Sequence, residues 1–388
     1  MAITITECRK RSDRREWVLL PHALYRGDPN FVPDLIREEL DFFSPSKNPG
    51  FQIAKTRLLL ARLNGKAIGR VCGIIHELEE QKLGYKLGRF GWFESIDDGE
   101  VARALFGNLE DWFKAQGCRK VTGPQGFSDL DREGLLIEGF DWLPTIAGSY
   151  NKIYYPKMLE DLGYEKEVDY IEHRVAVPVE NPLLGHAEKV MDASKRAGYS
   201  SVELRSKKDV RGAMSKWWDL LEESFSEVYG VTPLTADQKD YYQKKYFGFI
   251  VPELFKIVVD RDGKLQGFFL GLPSLSRPFQ KANGKLLPFG LLHILRGLRS
   301  FETVDFYLGG LHPNASRRRV IPLLVLEMYN SLRDKGVQFL ETNRELETNT
   351  GLNSAWRQFQ VINKRRSRIF KKELSPTRLS PVDPREPH

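Results

Sequence analysis

Alternating hydrophobic and polar positions predict two β-hairpins at corresponding places in the two halves of this 388-residue chain. Residues 56–77, TRLLLARLNGKAIGRVCGIIHE, form two β-type runs about an Asn-Gly dipeptide at 64–65, a strong signal for a tight hairpin turn. Residues 254–273, LFKIVVDRDGKLQGFFLGLP, repeat this arrangement about Asp-Gly at 262–263. A hairpin in each half is the first indication of an internal duplication.

The same succession of elements follows each hairpin. In the first half the predicted elements are a strand at 88–95, an amphipathic helix at 99–117, a strand at 119–124 and a short helix at 154–166. In the second half they are a strand at 303–311, a helix from about Pro322 to Lys335, a strand at 337–343 and a short helix at 350–360. The order hairpin, strand, helix, strand, helix therefore occurs twice, which indicates a duplicated α/β unit.

Prolines between residues 175 and 185 interrupt the pattern and predict the boundary between two domains. We expect an N-terminal domain at 1–178, a C-terminal domain at 179–374 and a disordered Pro-rich tail at 375–388. Residues 123–151 form an acidic, aromatic insertion in the first domain. One hypothesis makes this insertion a lid that collects a cationic amine; the other makes it a loop that packs beside the domain and keeps its acids in water.

Lys and Arg outnumber Asp and Glu by 59 to 52, giving a formal net charge of +7. This excess favours anionic partners such as phosphorylated cofactors, nucleic acid or acidic membrane surfaces, without choosing among them. The three cysteines form no CxxC motif and have no histidine pair nearby, so no metal site is predicted and a reducing compartment is expected. The N-terminal residues lack the apolar core of a signal peptide, which favours a cytoplasmic location.

Residues 284–301, GKLLPFGLLHILRGLRSF, combine a dense apolar run with Lys285, Arg296 and Arg299. This run is shorter than the ~20 residues of a membrane span. It has three interpretations: a core element of the second domain, the wall of an acyl-chain tunnel, or a segment that lies on the inner face of a membrane.

Two further stretches resemble a known family. Residues 151–165, NKIYYPKMLEDLGYE, place an asparagine before a helix that contains tyrosines and ends in Gly-Tyr. Residues 308–324, LGGLHPNASRRRVIPLL, place a strand, a turn and a helix in succession. Together with the repeated order, they resemble the GNAT superfamily of acyl-CoA N-acyltransferases, as two tandem folds over roughly 57–174 and 202–370. The resemblance implies an α/β (α+β) fold: two GNAT-like mixed sheets with helices on both faces.

In that family the turn between strand and helix holds the CoA pyrophosphate. In the second half Arg317, Arg318 and Arg319 precede the apolar helix, where free N–H groups, the helix dipole and guanidinium groups all favour phosphate. The matching turn of the first half has Asp97 and Asp98, which repel it. We therefore expect acyl-CoA in the second half; the alternative is that the three arginines form a solvated run or face nucleic acid. Neither turn has the glycines of the family's Q/R-x-x-G-x-G/A pattern, so side chains rather than backbone would hold the pyrophosphate.

The predicted cofactor-binding residues are Leu311, Arg317, Arg318, Arg319, Val320, Asn349 and Asn353. The expected cofactor, by resemblance, is acetyl-CoA or a longer acyl-CoA that acts as a substrate.

Acyl transfer to an amine needs a proton acceptor, usually a carboxylate or a histidine. Glu341 is the first candidate and His312 the second, with Asn343 beside them. The alternatives are that Glu341 pairs with an arginine and that His312 shapes a turn. The family's proton-donating tyrosine is absent from the last helix of the second half, but Tyr155 has such a position in the first half. Tyr155 is therefore either a catalytic residue or a core aromatic.

Three functions remain open on the sequence. The first is an acyl-CoA-dependent N-acyltransferase acting on a small-molecule or lipid amine, with a long-chain form similar to bacterial ceramide synthases. The second is an aminoacyl-tRNA-dependent transferase, for which the basic runs at 9–17 and 363–372 would contact phosphates. Nucleic acid is the less expected partner, because these runs lack interleaved stacking aromatics. The third is a non-catalytic binding protein with degenerate cofactor turns.

Overall fold

The fold was analysed in a computed structural model that describes residues 2–180, 186–350, 356 and 359–374. The strands are β1 Thr4–Glu7, β2 Ala54–Leu63, β3 Lys66–His76, β4 Leu87–Ser95, β5 Lys120–Gly123, β6 Leu135–Glu138, β7 Glu165–Ala176, β8 Ser200–Val202, β9 Phe255–Val259, β10 Leu265–Pro273, β11 Thr303–Leu311, β12 Phe339–Thr342, β13 Glu345–Leu346 and β14 Val361–Glu373. The helices are α1 Arg11–Leu24, α2 Ile36–Phe42, α3 Glu77–Leu83, α4 Gly99–Ala115, α5 Tyr155–Asp161, α6 Ala187–Arg196, α7 Lys207–Phe225, α8 Ala236–Tyr246, α9 Ser276–Ala282, α10 Gly290–Arg299 and α11 Arg317–Asp334.

Both predicted hairpins are present, as β2–β3 and β9–β10. The first turns through Asn64 and Gly65, whose φ angles of 52° and 80° are those required by the tight turn that Asn-Gly favours. The strand, helix, strand and helix predicted after the first hairpin correspond to β4, α4, β5 and α5. After the second hairpin, β11, α11 and β12 follow in the predicted order. Most of the short helix predicted at 350–360 lies outside the described residues.

The strands form one mixed sheet in the order β1-β2-β3-β4-β5-β14-β7-β12-β11-β10-β9-β8, with β6 and β13 paired at its side. Only β4–β5 and β11–β12 are parallel among the described pairs. Each parallel pair is joined through a helix, α4 or α11, as a parallel connection requires. The two halves of the chain thus contribute the two ends of one sheet.

Helices cover both faces of this sheet. In the first half, Leu59 and Val71 pack in the cluster beneath α4, whereas their chain neighbours Leu60 and Cys72 pack in the cluster beneath α1. Successive residues of β2 and β3 are therefore buried on opposite faces, as expected for a strand covered on both sides. The second half repeats this arrangement with α7 and α11. The predicted mixed α/β fold class is confirmed.

The helix predicted to start near Pro322 begins at Arg317, so that prediction was wrong by about a turn. Pro322 lies inside α11, where it removes one backbone donor. Val320, Leu323 and Leu324 are buried against the sheet, and this burial holds the first turns in helical form despite the proline. The correction places all three arginines in the first turn of the helix rather than in the loop before it.

The basic run at 363–372 belongs to β14, which lies between β5 and β7 in the middle of the sheet. Arg365 is 1% exposed, and Arg366 and Arg368 both pair with Asp169. Further along the strand, Lys372 pairs with Glu110. The hypothesis that this run forms a basic surface for tRNA phosphates is therefore wrong: its guanidinium and ammonium groups are largely buried or paired within the sheet.

Candidate active site

The parallel strands β11 and β12 separate to form a V-shaped opening. They pair from Thr303–Phe339 to Phe306–Thr342, after which β11 continues to Leu311 paired with β10 but not with β12. Asn343 lies at the vertex: its backbone N–H donates to the Phe306 carbonyl at 3.1 Å, and its Nδ2 donates to the Tyr307 carbonyl at 3.1 Å. Its Oδ1 is buried and accepts no hydrogen bond among the described residues. Asn343 thus fixes the vertex and keeps one acceptor free.

A β-bulge lies next to this vertex. On β10, Leu270 and Gly271 are consecutive, but their partners on β11 are Leu308 and Phe306, so Tyr307 is the extra residue. A bulge bends its strand and redirects the side chains around it, and bulges are common beside active sites. The bulge therefore lets β11 diverge from β12 just beyond their last pair.

Two buried carboxylates lie side by side on β11 and β12, one residue pair before the two strands separate. Asp305 on β11 pairs in register with Glu341 on β12, and the two residues are only 3% and 5% exposed. Burial, together with the charge of Glu341, raises the pKa of Asp305 well above its usual range. The nearby Ser274 side chain counteracts this shift only in part, and neither Asp305 oxygen accepts a well-formed hydrogen bond among the described residues.

Glu341 has the protonation behaviour of a general base that works near neutral pH. Burial raises its pKa to about 7, while Arg174 and Arg365 oppose the shift. Arg174 Nη1 lies 3.4 Å from Glu341 Oε1, so the predicted alternative of an arginine pair is also present. Arg174 itself stacks over the Phe339 ring. The ion pair and a catalytic role are compatible, because one carboxylate oxygen can face the arginine while the other accepts a proton.

His312 lies at the far end of β11 and shapes the following turn. Its Nδ1 accepts from the Asn314 backbone N–H at 3.2 Å, and its Nε2 lies 3.2 Å from a Glu223 carboxylate oxygen. Asp305 precedes Leu311 by six residues on β11, a separation of ~20 Å at the rise of an extended strand. The structure therefore does not bring His312 and Glu341 together, and the turn-shaping interpretation of His312 agrees with its contacts.

The three arginines lie at the start of α11, at the open end of the V. Arg317 and Arg318 are exposed and Arg319 is half-buried. Ser316 is the N-cap, but its side chain accepts no hydrogen bond from the helix. Within the described ranges no carboxylate pairs with these guanidinium groups, whereas Arg366 and Arg368 are paired. Free N–H groups and unpaired cations at a helix start form an arrangement that suits a pyrophosphate.

The other residues predicted to bind the cofactor have different environments. Leu311 is half-buried at the end of β11, and its carbonyl accepts from the Ser224 hydroxyl at 2.9 Å. Val320 is fully buried in the core beneath α11, so its side chain does not reach a ligand in the opening. Asn349 is exposed, and its backbone N–H donates to Leu346. Asn353 lies outside the described residues.

The first half has the corresponding vertex but different chemistry. The Phe90 carbonyl accepts from the Gln125 N–H at 2.8 Å, which matches the contact between Phe306 and Asn343. Arg89 therefore corresponds to Asp305, and Thr122 to Glu341. Arg89 is fully buried and binds both oxygens of Glu79, at 2.5 and 2.7 Å. A neutralised arginine thus replaces the carboxylate pair in the first half.

The end of β4 in the first half is closed by tyrosines. The Ser95 N–H donates to the Tyr155 hydroxyl at 2.8 Å, and the Tyr154 hydroxyl donates to the Ser95 carbonyl at 2.8 Å. Tyr155 is fully buried and lies 2.9 Å from Glu94, which also accepts from Tyr25 at 2.7 Å. These hydrogen bonds use both the backbone N–H and the carbonyl of Ser95 at the end of β4. The core interpretation of Tyr155 agrees with them.

Replacing Tyr155 by Phe is expected to destabilise the protein by about 1–3 kcal/mol, because the buried Ser95 N–H loses its acceptor. We expect kcat to stay within a factor of about two of the wild-type value. Thermal unfolding and the initial rate of thiol release measure the two effects. A large loss of kcat without a change in stability would instead place the catalytic centre in the first half.

An apolar crevice lies beside the bulge of β11. Its walls come from α7, α8, β10 and β11 and include Trp217, Tyr242, Tyr246, Leu270 and Tyr307. Its remaining lining is also largely aliphatic or aromatic. Because Tyr307 is the bulged residue, this crevice borders the vertex of the V. Its lining is apolar, but its volume of about 20 Å³ is that of a single water-sized group.

The acidic insertion at 123–151 fits neither of its two predicted roles completely. Asp131 is buried and accepts from the Phe127 N–H and the Tyr242 hydroxyl, and Glu133 is buried and accepts from Tyr170. These acids therefore lie neither in water nor on an open lid. Asp131, through Tyr242, links the first half to α8 of the second, whereas Glu133 contacts β7 of its own half.

Asp305 is the residue of this site that sequence reasoning missed, together with Arg174. Both lie within strands that read as ordinary alternating segments. The one available signal was an acid at an otherwise apolar position of a predicted strand, since buried Asp is rare without a functional or structural reason. Among the described residues, no group of three or more His, Cys, Asp or Glu side chains is placed to hold a metal ion.

Comparison with known proteins agrees with this architecture. No protein-family model matches the chain. It is 29% identical to Protein YghO of Escherichia coli over 377 residues, which cover 94% of each chain. It is 25% identical to a bacterial ceramide synthase of Caulobacter vibrioides over 381 residues, covering 96% of this chain and 98% of that protein.

Among solved structures, the chain is similar to a tandem GNAT protein from the clavulanic acid biosynthesis pathway. The TM-score is 0.55 at 12% identity, and the match covers 97% of this chain and all of that one. This likeness, with the duplicated order and the two V-shaped openings, defines the fold class: the chain has a tandem GNAT-type fold. The expected resemblance is confirmed at the level of the fold.

Proposed function

We propose that this protein is an acyl-CoA-dependent N-acyltransferase and that its reaction takes place in the second half of the chain. The observation that carries the proposal is the buried Asp305–Glu341 pair at the vertex of a V. The open end of this V leads to three arginines that form no ion pair with any described residue. The first half has neither feature. Its vertex holds the Arg89–Glu79 pair and its matching helix starts with acidic residues.

In the proposed reaction each part of the site has one task. Arg317 to Arg319 hold the pyrophosphate, and the thioester lies along the free edge of β11. Glu341 removes a proton from the amine nitrogen, which attacks the thioester carbonyl carbon. The carbon–sulfur bond then breaks, the amide forms, and the CoA thiolate leaves and takes up a proton. Asp305, whose pKa is strongly raised, lies beside Glu341 and favours a shared proton at this vertex.

A second, narrower proposal is that the acyl group and the amine are lipid-like. One relative is a bacterial ceramide synthase, and the apolar crevice beside Tyr307 would have to widen to admit a hydrocarbon chain. Each methylene buried on binding contributes about 0.8 kcal/mol, so a donor chain that the protein buries should bind more tightly with each added carbon. A steady gain in affinity with chain length is therefore the signature of this version.

Calorimetric titration with CoA, acetyl-CoA, octanoyl-CoA and palmitoyl-CoA tests both proposals. Binding of every thioester at similar affinity supports a short-chain donor, and affinity that rises with chain length supports the lipid version. If none of these compounds binds at sub-millimolar concentration, the enzyme proposal is wrong and a non-catalytic function gains support.

Replacing Arg317 and Arg319 together by Ala should weaken acyl-CoA binding by about 10- to 100-fold, since charge-assisted contacts to phosphate contribute about 1.5–3 kcal/mol. Arg333, exposed in the last turn of the same helix, provides a matched control. Its replacement by Ala should leave the dissociation constant unchanged. Unchanged affinity in the double variant would mean that the pyrophosphate binds elsewhere.

A further inference from the structure

A helical hairpin interrupts the second half between β10 and β11. It consists of α9, a short connection and α10, and it leads directly into the strand that carries Asp305. Its base is bound to the first half of the chain: the Ile36 N–H donates to the Gly284 carbonyl at 2.9 Å, and Gln280 donates to the Pro29 and Phe31 carbonyls. On α10, Ile294 is buried in the cluster formed with α9. The hairpin is thus a firmly anchored element with one face inward.

The outward face of this hairpin is apolar. Leu287, Phe289 and Leu292 are 75%, 65% and 60% exposed, although large hydrophobic residues are usually buried. Leu291 and Leu295 on the same helix are 44% and 42% exposed. Five large hydrophobic side chains therefore lie close together in the chain and project into solvent. A contiguous exposed patch of this kind marks an interaction surface.

Cations surround this patch. Residues 274–301 contain Arg277, Lys281, Lys285, Arg296 and Arg299 and no Asp or Glu. All five side chains are exposed, and within the described part of the chain none of them forms an ion pair. Elsewhere the exposed cations commonly have a carboxylate nearby, as in the pairs of Lys47 with Asp41 and of Lys157 with Asp161. The hairpin combines an apolar tip with an uncompensated basic rim.

We propose that this hairpin docks the protein onto the surface of an anionic lipid bilayer. An amphipathic helix with exposed Leu and Phe and a basic border lies in the interface, where apolar side chains enter the acyl boundary and cations meet acidic headgroups. Each Lys or Arg near such a surface contributes about 1 kcal/mol. The charge argues for lipid rather than for a second copy of this chain, because a symmetric contact would bring five cations against five.

The position of the hairpin gives the docked protein an orientation. The hairpin joins the start of β11, next to Asp305, whereas the arginines follow the end of β11. The nine residues of β11 separate these two ends by ~26 Å at the usual rise of a strand. A docked protein would therefore hold the carboxylate vertex toward the lipid and the arginine end toward the solution. Docking itself does not depend on the proposed reaction, so the two can be tested separately.

Co-sedimentation with vesicles tests the proposal on the full chain. We expect the protein to bind vesicles of phosphatidylcholine with about 30% phosphatidylglycerol, and to bind phosphatidylcholine alone more weakly. Replacing Phe289 and Leu292 by Ser should weaken binding to the acidic vesicles by about tenfold or more. Replacing Arg296 and Arg299 by Ser should remove most of the preference for acidic vesicles. Ile153, 74% exposed outside the hairpin, provides the control: Ile153→Ser should bind as the wild type does.

Because these side chains are exposed, the variants are expected to fold, and circular dichroism with thermal unfolding checks this. Failure of the wild type to sediment with acidic vesicles would overturn the proposal, as would unchanged binding by the Phe289→Ser, Leu292→Ser variant. Light scattering tests the alternative that the patch is a contact between copies of the chain. If the double variant loses an oligomeric state and retains vesicle binding, the patch is a contact between copies and not a membrane surface.

Discussion

Replacing Glu341 by Gln is expected to lower kcat by about 10²- to 10⁴-fold, the usual contribution of a positioned general base. Gln keeps the size and one acceptor of the side chain but cannot take a proton from the amine. Acyl-CoA affinity should stay within a factor of about two, because Glu341 lies at the vertex and the arginines at the other end of β11. Initial rates of thiol release, with the acyl-CoA and amine pair that the wild type uses fastest, measure the loss.

The pH profile distinguishes a base from a structural carboxylate. The pKa of Glu341 is raised to about 7, so the active, deprotonated form increases as pH rises through this value. The wild-type rate should therefore rise through pH ~7, and the residual rate of Glu341→Gln should lack this step. Glu133 is a matched control, since it is equally buried and its pKa is also raised to about 7. If Glu133→Gln loses as much activity as Glu341→Gln, Glu341 has no special role.

The sequence predicted most of the regular elements because their signals are local. The turn of β2–β3 depends on two residues with positive φ, and Asn-Gly specifies it without help from the rest of the chain. The face of α4 follows from the spacing of its own apolar residues. The start of α11 was missed because Pro322 is a strong local signal for a helix start, whereas the burial of Val320 depends on contacts with a distant strand.

The position of β14 depends entirely on long-range contacts. Its sequence, with several Lys and Arg residues, reads as a solvated basic run. This segment can lie in the middle of the sheet because Asp169 of β7 neutralises both Arg366 and Arg368. Asp169 comes nearly two hundred residues earlier in the chain. Pairing with an opposite charge is the condition under which such residues enter a sheet interior. No local pattern contains that information.

The candidate site has the same division between local and long-range information. Glu341 and the three arginines stand out as charged residues at the ends of predicted elements. Asp305 becomes a candidate site residue only when the parallel register places it beside Glu341. Comparison of the two vertices gives the stronger argument, since equivalent positions hold Arg89 and Asp305. At equivalent vertex positions the second half thus has a buried acid with a raised pKa and the first half an arginine paired with Glu79, and a buried ionisable group with a shifted pKa is a candidate functional residue.

The burial of Glu341 leads to the second large effect expected of Glu341→Gln, a gain in the free energy of unfolding at alkaline pH. The pKa of Glu341 is raised in the folded protein to about 7, so the folded state binds its proton more tightly than the unfolded state. Its contribution to stability is complete below the unfolded pKa of about 4.5 and is lost as pH rises through about 7. Gln does not titrate, so above pH 7 the variant should be more stable than the wild type by on the order of 2–3 kcal/mol.

The gain should disappear well below pH 4.5, where Glu341 is protonated in both states. Denaturant unfolding of both proteins across this pH range measures the difference. Glu133→Gln should show a gain of the same sign, because burial raises that pKa as well. The two variants should therefore resemble each other in stability and differ in activity, since in the proposed mechanism only Glu341 takes a proton from the amine. A Glu341→Gln protein that is less stable than the wild type at pH 8 would show that the ion pair with Arg174 outweighs the cost of burial.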